Sequence, residues 1–238
     1  MFIDQYFSEP NGNLCFTRQQ ASDFAKRVAD DFNPLHDTDA RRFCVPGDLL
    51  FSVVLARYGV SQHMHFVFSG MVVEDIELLL PPTGDELRIR DAQDKEYLSV
   101  QRSGENSRDE SLVQNLTRNY VEFSGHTFPH ILEPLLAEQS VMINPDRPMV
   151  IYESMTIDLD RLDITDPELH SDHNELEISG RRGSVNLVFN LVEAGEVVGR
   201  GRKRMLLSGL REYDRAAMDA AIETYNARKR DFFAAAPA

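Results

Sequence analysis

An acid and a histidine five positions apart, Asp31 and His36, enclose Asn33-Pro34 in the run Asp31-Phe32-Asn33-Pro34-Leu35-His36. Proline fixes its own φ and drives the residue before it out of the helical region. The chain therefore turns sharply at Asn33, and the two side chains are free to converge. A carboxylate and an imidazole held by one rigid turn can share a water molecule. Such a pair is the minimum equipment for adding water to a double bond, or removing it. The plainer reading is that Asp31 and Asn33 only build an Asx turn around the proline.

The flanking segments must hold that corner in place. Thr17 and Gln20 fit a capping box, and Ala21, Phe24, Ala25 and Val28 form one apolar stripe, so a helix leads into the corner. Val45-Pro46-Gly47 then introduces a second helix over residues 48–58, with Gly59 as its stop. Leu49, Leu50, Val53, Val54 and Leu55 make it apolar nearly all round, which predicts a buried helix. Beyond it the period becomes strand-like, with strands expected at 66–73, 76–80, 87–90, 97–102 and 116–123. Residues 103–106 read as a hairpin turn and 81–85 as a loop.

The pattern then restarts. A helix is expected over 131–141, with Pro134 in its first turn or kinking it. A strand is expected over 149–159, and an alanine-rich helix over 213–233 whose Ala217, Ala220, Ala221 and Tyr225 could pack on the sheet. Residues 84 apart match in kind: Val67 with Ile151, Phe68 with Tyr152, Met71 with Met155, Val73 with Ile157 and Glu74 with Asp158. Glu86-Leu87-Arg88-Ile89 parallels Glu175-Leu176-Glu177-Ile178. Gly104-Glu105 parallels Gly195-Glu196, and Phe123-Ser124-Gly125 parallels Leu207-Ser208-Gly209. Their shared order points to a duplicated unit. An α+β fold follows, a double hotdog: two tandem units, residues 1–127 and 128–238, each a curved antiparallel sheet wrapped around a central helix.

Composition narrows the function. Lys and Arg number 25 against 39 Asp and Glu, a net charge of −14, which repels phosphate backbones and anionic membranes. The one dense basic run, Arg200-Gly201-Arg202-Lys203-Arg204, reads as a strand with one charged face, so no nucleic-acid partner is expected. The two cysteines, Cys15 and Cys44, have no metal or disulfide spacing. With no signal-peptide pattern at the start and no apolar run of spanning length, a cytoplasmic protein is expected.

The residues carry a family resemblance. Asp31-x-Asn33-Pro34-x-His36 resembles the signature of MaoC-like, R-specific enoyl-CoA hydratases and dehydratases, which are hotdog proteins. In that family, too, the motif precedes the central helix, and Pro82-Thr83-Gly84-Asp85-Glu86-Leu87 is similar to a second family element. The likeness spans roughly residues 16–125. Ala29-Asp30 stands where the family often has Ser/Thr-Gly, and Pro46-Gly47 where it usually has His-Gly. No second copy of the motif occurs, which implies one active site per chain, with residues 126–238 as scaffold.

The resemblance implies hydration of 2-enoyl thioesters of coenzyme A or acyl-carrier protein, or the reverse dehydration of 3-hydroxyacyl thioesters. The thioester is the substrate and no cofactor is needed. Asp31 and His36 would activate the water and deliver the proton, while Asn33 and Pro34 fix the turn. The backbone N–H of Gly47 or Asp48, at a helix N-terminus, would bind the thioester oxyanion. A fused pair could stand as a monomeric pseudo-dimer or form a homodimer.

Two other functions fit the same fold. A thioester hydrolase would use Asp48 or Glu74 as base or nucleophile, and a non-catalytic module would only bind acyl-CoA. His170, Asp172 and His173 lack a recognised ligand spacing and read as a solvated loop, so no metal is expected. His63 and His65 read as surface histidines. Arg181, Arg182, Arg200, Arg202 and Lys203 read as charges on a strand face, with contact to coenzyme A phosphates as the sharper alternative.

Overall fold

A computed structural model of the chain describes residues 1–145 and 147–235. The first half holds helices α1 (Arg18–Arg27) and α2 (Gly47–Tyr58), strands β1 (Val60–Phe68), β2 (Leu78–Leu79), β3 (Glu86–Asp91) and β4 (Glu96–Ser107), and helix α3 (Glu110–Gly125). Short helices α4 (Thr127–His130) and α5 (Leu132–Glu138) and strand β5 (Val141–Met142) lead into the second half. There follow β6 (Val150–Leu159), β7 (Glu168–Ser179), β8 (Arg182–Glu193), β9 (Glu196–Ser208), β10 (Arg211–Glu212) and helix α6 (Arg215–Ala235).

Local chemistry explains the first elements. The Thr17 hydroxyl accepts the Gln20 N–H at 3.1 Å, and Gln20 Oε1 accepts the Thr17 N–H at 3.0 Å, so the capping box starts α1 as expected. Gly59 stops α2 with φ 80°, a conformation that costs other residues a clash at Cβ. Leu49, Leu50, Phe51, Val53, Val54 and Leu55 of α2 are buried. Each such apolar side chain contributes roughly 1.5–3 kcal/mol, and together they make α2 the centre of the larger core.

The sheet has eight antiparallel strands in the order β2-β3-β4-β1-β6-β9-β8-β7. Each half runs outward from a central seam: first strand, last strand, third, second. At the seam β1 pairs with β6, from His63 opposite Asp158 to Val67 opposite Ser154. The strand order is thus repeated across the seam, but the helices are not. The helix ahead of β1 has 12 residues, whereas α5, ahead of β6, has 7. A second, smaller core under α5 and α6 gathers Leu136, Met142, Leu187, Met205 and Met218.

Several expectations fail here for identifiable reasons. Residues 116–123 are helical, not a strand. Asp109 caps α3 by accepting the Leu112 N–H at 3.0 Å, and Leu112, Leu116 and Tyr120 form a buried stripe at helical spacing. The expected strand window began too late to show that period. Residues 103–106 are no hairpin: β4 runs through them, and Gly104, at φ 79°, lies opposite Gln62 where the β1–β4 register shifts. The first strand begins at Val60 because the chain leaves α2 directly into the sheet at Gly59. His170, Asp172 and His173 lie in strand β7 rather than a loop, and no cluster that could hold a metal occurs among the described residues.

The repeat survives only in part. Val67 and Phe68 in β1 and Ile151 and Tyr152 in β6 do occupy topologically equivalent strands. Glu86–Ile89 lies in β3, second from one edge, but Glu175–Ile178 lies in the edge strand β7. Residues 123–125 end a helix, whereas 207–209 end a strand. Those parallels do not mark equivalent positions.

Candidate functional site

The corner is built from α1 outward. After α1 the Asp31 N–H bonds back to the Ala25 carbonyl at 2.8 Å, and Asp30 takes a positive φ of 53°. Gly125, at the end of α3, sits directly beneath. A Cβ there would lie 1.7 Å from the Ala29 carbonyl oxygen, so only glycine lets α3 approach. Asp31 Oδ1 accepts the Asn33 N–H at 2.9 Å, and Asn33 Oδ1 accepts the Leu35 N–H at 3.1 Å. Pro34 begins a single 3-10 turn, Pro34–His36. Two successive Asx-type bonds and a proline therefore fix the backbone from Asp31 to His36.

That backbone brings the two expected side chains together. Asp31 Oδ2 lies 3.6 Å from His36 Nε2, too long for a direct hydrogen bond but close enough to share a small ligand. His36 Nδ1 is 2.7 Å from the Cys44 carbonyl. A carbonyl can only accept, so Nδ1 carries a proton and Nε2 is the atom turned toward Asp31. The His36 side chain is 12% exposed and that of Asp31 28%. Both groups are thus partly sheltered yet open to solvent. Cys44 stays a neutral thiol, pushed up to about 11 by burial. An open surface cleft of about 470 Å³ lies beside the corner, lined by Pro34, Leu35, Arg41, Arg42 and Arg228, with Asp31 and His36 outside its lining.

The head of α2 places the other expected residues. Pro46 caps the helix, and the N–H groups of Gly47 and Asp48 have no backbone acceptor among the described residues. The space beside the Gly47 Cα is taken by rings: a Cβ would lie 3.1 Å from Tyr152 and 3.2 Å from Phe68. Those rings stack on each other with centroids 4.3 Å apart. Close packing by the aromatic pair therefore leaves a Cβ little room at this position. Glu74 is far from base-like. It pairs with Arg18 at 2.7 Å, and the guanidinium holds its carboxyl below the usual range.

Asp48 carries more than an N–H. Its Oδ2 accepts the Ser124 hydroxyl at 2.6 Å, and Ser124 Oγ accepts from Lys203 Nζ at 2.5 Å. Its Oδ1 is shut off from solvent with no hydrogen-bond partner. Burial pushes the Asp48 carboxyl up, and Lys203 and Ser124 pull it back. Burial likewise pushes the Lys203 ammonium down, against the attraction of Asp48 and Asp31. The Tyr120 and Tyr152 hydroxyls are hydrogen-bonded to each other, and the Lys203 ammonium lies 4.6 Å from the Tyr152 ring centre.

Sequence reasoning set Lys203 among charges on a strand face, and the structure corrects that. In β9, Arg200, Arg202 and Arg204 are exposed, while Lys203, between the last two, is 5% exposed and faces the core. Period 2 alone would have flagged it, since Gly201, Lys203, Met205 and Leu207 share one face. Of the α6 residues expected on the sheet, Ala217 packs into the smaller core, Ala220 is exposed, and Tyr225 instead helps the helix strap the corner. The Tyr225 hydroxyl accepts the Phe32 N–H at 3.1 Å and donates to the Asp30 carbonyl at 3.2 Å. Lys229 pairs with Asp30 and Arg228 with Asp37, and Phe32 packs edge-on against Tyr225, Phe232 and Phe233.

A protein family described as "Protein of unknown function (DUF3581)" matches residues 1–216, ending within the first turn of α6. No curated protein matches the sequence. Among solved structures, the acyl-CoA thioesterase II TesB2 from Mycobacterium marinum is similar at 13% identity, TM-score 0.41, over 71% of this chain and 90% of that one. An acyl-ACP thioesterase from Bacteroides thetaiotaomicron is similar at 10% identity, TM-score 0.33, over 68% and 90%. An N-terminal dehydratase from the difficidin assembly line is similar at 12% identity, TM-score 0.31, over 75% and 87%. No helix among the described residues is long and apolar enough to cross a membrane.

Proposed function

The chain belongs to the DUF3581 family, and from that premise and the corner's geometry we propose that it adds water to 2-enoyl thioesters or removes it from 3-hydroxyacyl thioesters. The fold is a double hotdog, its two units meeting at the β1–β6 seam and dividing near residue 127. The repeated strand order across that seam supports this reading. Acyl-CoA or acyl-carrier-protein thioesters are the substrates, and no cofactor takes part.

The observation that carries the proposal is the 3.6 Å gap between Asp31 Oδ2 and His36 Nε2. A water seated between two acceptors at that separation can give one hydrogen to the pair, at about 2.8 Å from its oxygen, and keep the other. The water's lone pair is then free to attack C3 of the enoyl group. As the O–C3 bond forms, one water proton passes to the Asp31–His36 pair, and the pair returns a proton to C2. The π electrons move toward the thioester oxygen, where the Gly47 and Asp48 N–H groups at the head of α2 stabilise the charge. For the thioester to reach them, the Phe68 and Tyr152 rings must shift. Crotonyl-CoA hydration, followed by loss of enoyl absorbance, tests the proposal. Asp31→Asn should abolish it with the fold intact, and wild-type protein inert on both CoA and carrier-protein enoyl thioesters of every chain length would overturn it.

One observation favours a second reading. Asp48 presents a buried carboxyl with a bare oxygen at the head of the central helix, a placement suited to attacking the thioester carbonyl, or to deprotonating a water that attacks it, with the thiol as leaving group. Free thiol released from a saturated acyl-CoA, lost in Asp48→Asn but kept in His36→Ala, would select it.

A further inference from the structure

Three segments distant in sequence meet in one buried chain of hydrogen bonds. Lys203 comes from β9, Ser124 from the end of α3 and Asp48 from the head of α2. The Lys203 ammonium donates to Ser124 Oγ at 2.5 Å, which donates to Asp48 Oδ2 at 2.6 Å. Lys203 and Ser124 are 5% and 4% exposed. The other carboxylate oxygen, Oδ1, has no partner and no solvent. A buried polar atom left bare is destabilising, and a bound group that supplies the missing donor is one of the ways a native structure accommodates it. Gly125, next to Ser124, packs on the Ala29 carbonyl, and the carbonyl of Cys44, four residues before Asp48, holds His36 Nδ1, so the chain adjoins the corner rather than a separate part of the core.

We propose that Lys203 and Ser124 hold Asp48 as a buried carboxylate whose bare Oδ1 accepts a hydrogen bond from an O–H of the reacting water or hydroxyl. This rests on the hydro-lyase reading and adds a third group to its site. Asp48 is then a catalytic residue, while Ser124 and Lys203 act through it as positioning residues. Two carboxyls in unlike surroundings take unlike roles: Asp31, on the partly open corner, exchanges protons, and Asp48, in the interior, holds the oxygen in line. The groups facing Asp48 are Lys203 from β9, Ser124 and Tyr120 from α3, Tyr152 from β6, and Asp31 and His36 from the corner. Lys203 is the ammonium among them, and it belongs to the half without the motif. That half is a contributor to the site and not a scaffold alone.

The test uses the full chain and two readouts. Infrared spectra across a pH series, without substrate, report the carbonyl stretch of a buried protonated carboxyl, assigned to Asp48 by its absence in Asp48→Asn. Rates of crotonyl-CoA hydration across the same series report the acid limb. Removing the ammonium favours protonated Asp48, so Lys203→Met should move both the infrared titration and the acid limb to higher pH by about one unit or more. Ser124→Ala, a smaller cut that spares the fold if Lys203→Met does not, should move both in the same direction by less, and Lys203→Arg should restore most of the shift. An infrared titration unmoved by either variant overturns the proposal. So does a titration that moves while the acid limb stays, which marks a purely structural pair. Should no enoyl thioester turn over at all, the hydro-lyase reading and the Asp48 contact to the reacting oxygen fall together, and the infrared arm still decides whether Lys203 sets the charge of Asp48.

Discussion

The two halves of the sheet share one strand order and differ in almost everything packed against it. In the first half, a 12-residue buried helix follows a proline-locked corner that presents an acid and an imidazole. In the second, a 7-residue helix precedes the matching strand, and the sequence holds no second Asp-x-Asn-Pro-x-His. The second half contributes instead one lysine, turned inward from an otherwise outward-facing basic run. A strand order can thus repeat while the side chains packed against it do not.

The comparison breaks first at the motif. Asp31→Asn and His36→Ala should each lower crotonyl-CoA turnover by roughly 100- to 10,000-fold, whereas His130→Ala, ahead of α5, should leave it unchanged; steady-state kinetics check all three. Next comes the shared buried pair. Lys203→Met strands Asp48 in the interior and should cost about 3–5 kcal/mol in urea unfolding, while adding Asp48→Asn should recover most of it. The same two proteins sharpen the point through pH. A carboxyl raised by burial contributes stability below its unfolded value and loses it as pH rises through the folded value. The stability gap between Lys203→Met and the double variant should therefore widen as pH increases above the ordinary carboxylate range.

Smaller effects probe how the corner is braced. Gly125→Ala drives a methyl into the Ala29 carbonyl and should destabilise by about 1–3 kcal/mol, with a larger loss of turnover than of stability because the corner moves. Tyr225→Phe removes the hydroxyl shared by Phe32 and Asp30 and should cost about 1 kcal/mol, seen as a lower urea midpoint.

What the sequence made legible was local. The capping box at Thr17, the proline turn at Asn33-Pro34 and the glycine stop at Gly59 are each decided by neighbours a few residues away. The convergence of Asp31 and His36 was readable for the same reason. What stayed hidden was long-range. Helix α3 looked like a strand because residues 116–123 mix apolar Leu116, Tyr120, Val121 and Phe123 with polar residues over a window too short to fix the period. Ser124 and Lys203 are 79 residues apart, and no spacing announces their contact with Asp48. The strap of α6 over Phe32 links residues 193 apart. The glycine at position 47 was legible as special, but its neighbours, Phe68 and Tyr152, come from the two strands of the seam and were not.

On the proposed chemistry, water held between Asp31 and His36 adds across a carbon–carbon double bond. Crotonyl-CoA turned over in water enriched in heavy oxygen, with the product weighed by mass spectrometry, tests it most directly. The expected product is an intact thioester carrying the label on its C3 hydroxyl, with none formed by Asp31→Asn. Label found instead in a free carboxylic acid, with the thiol released, would contradict it.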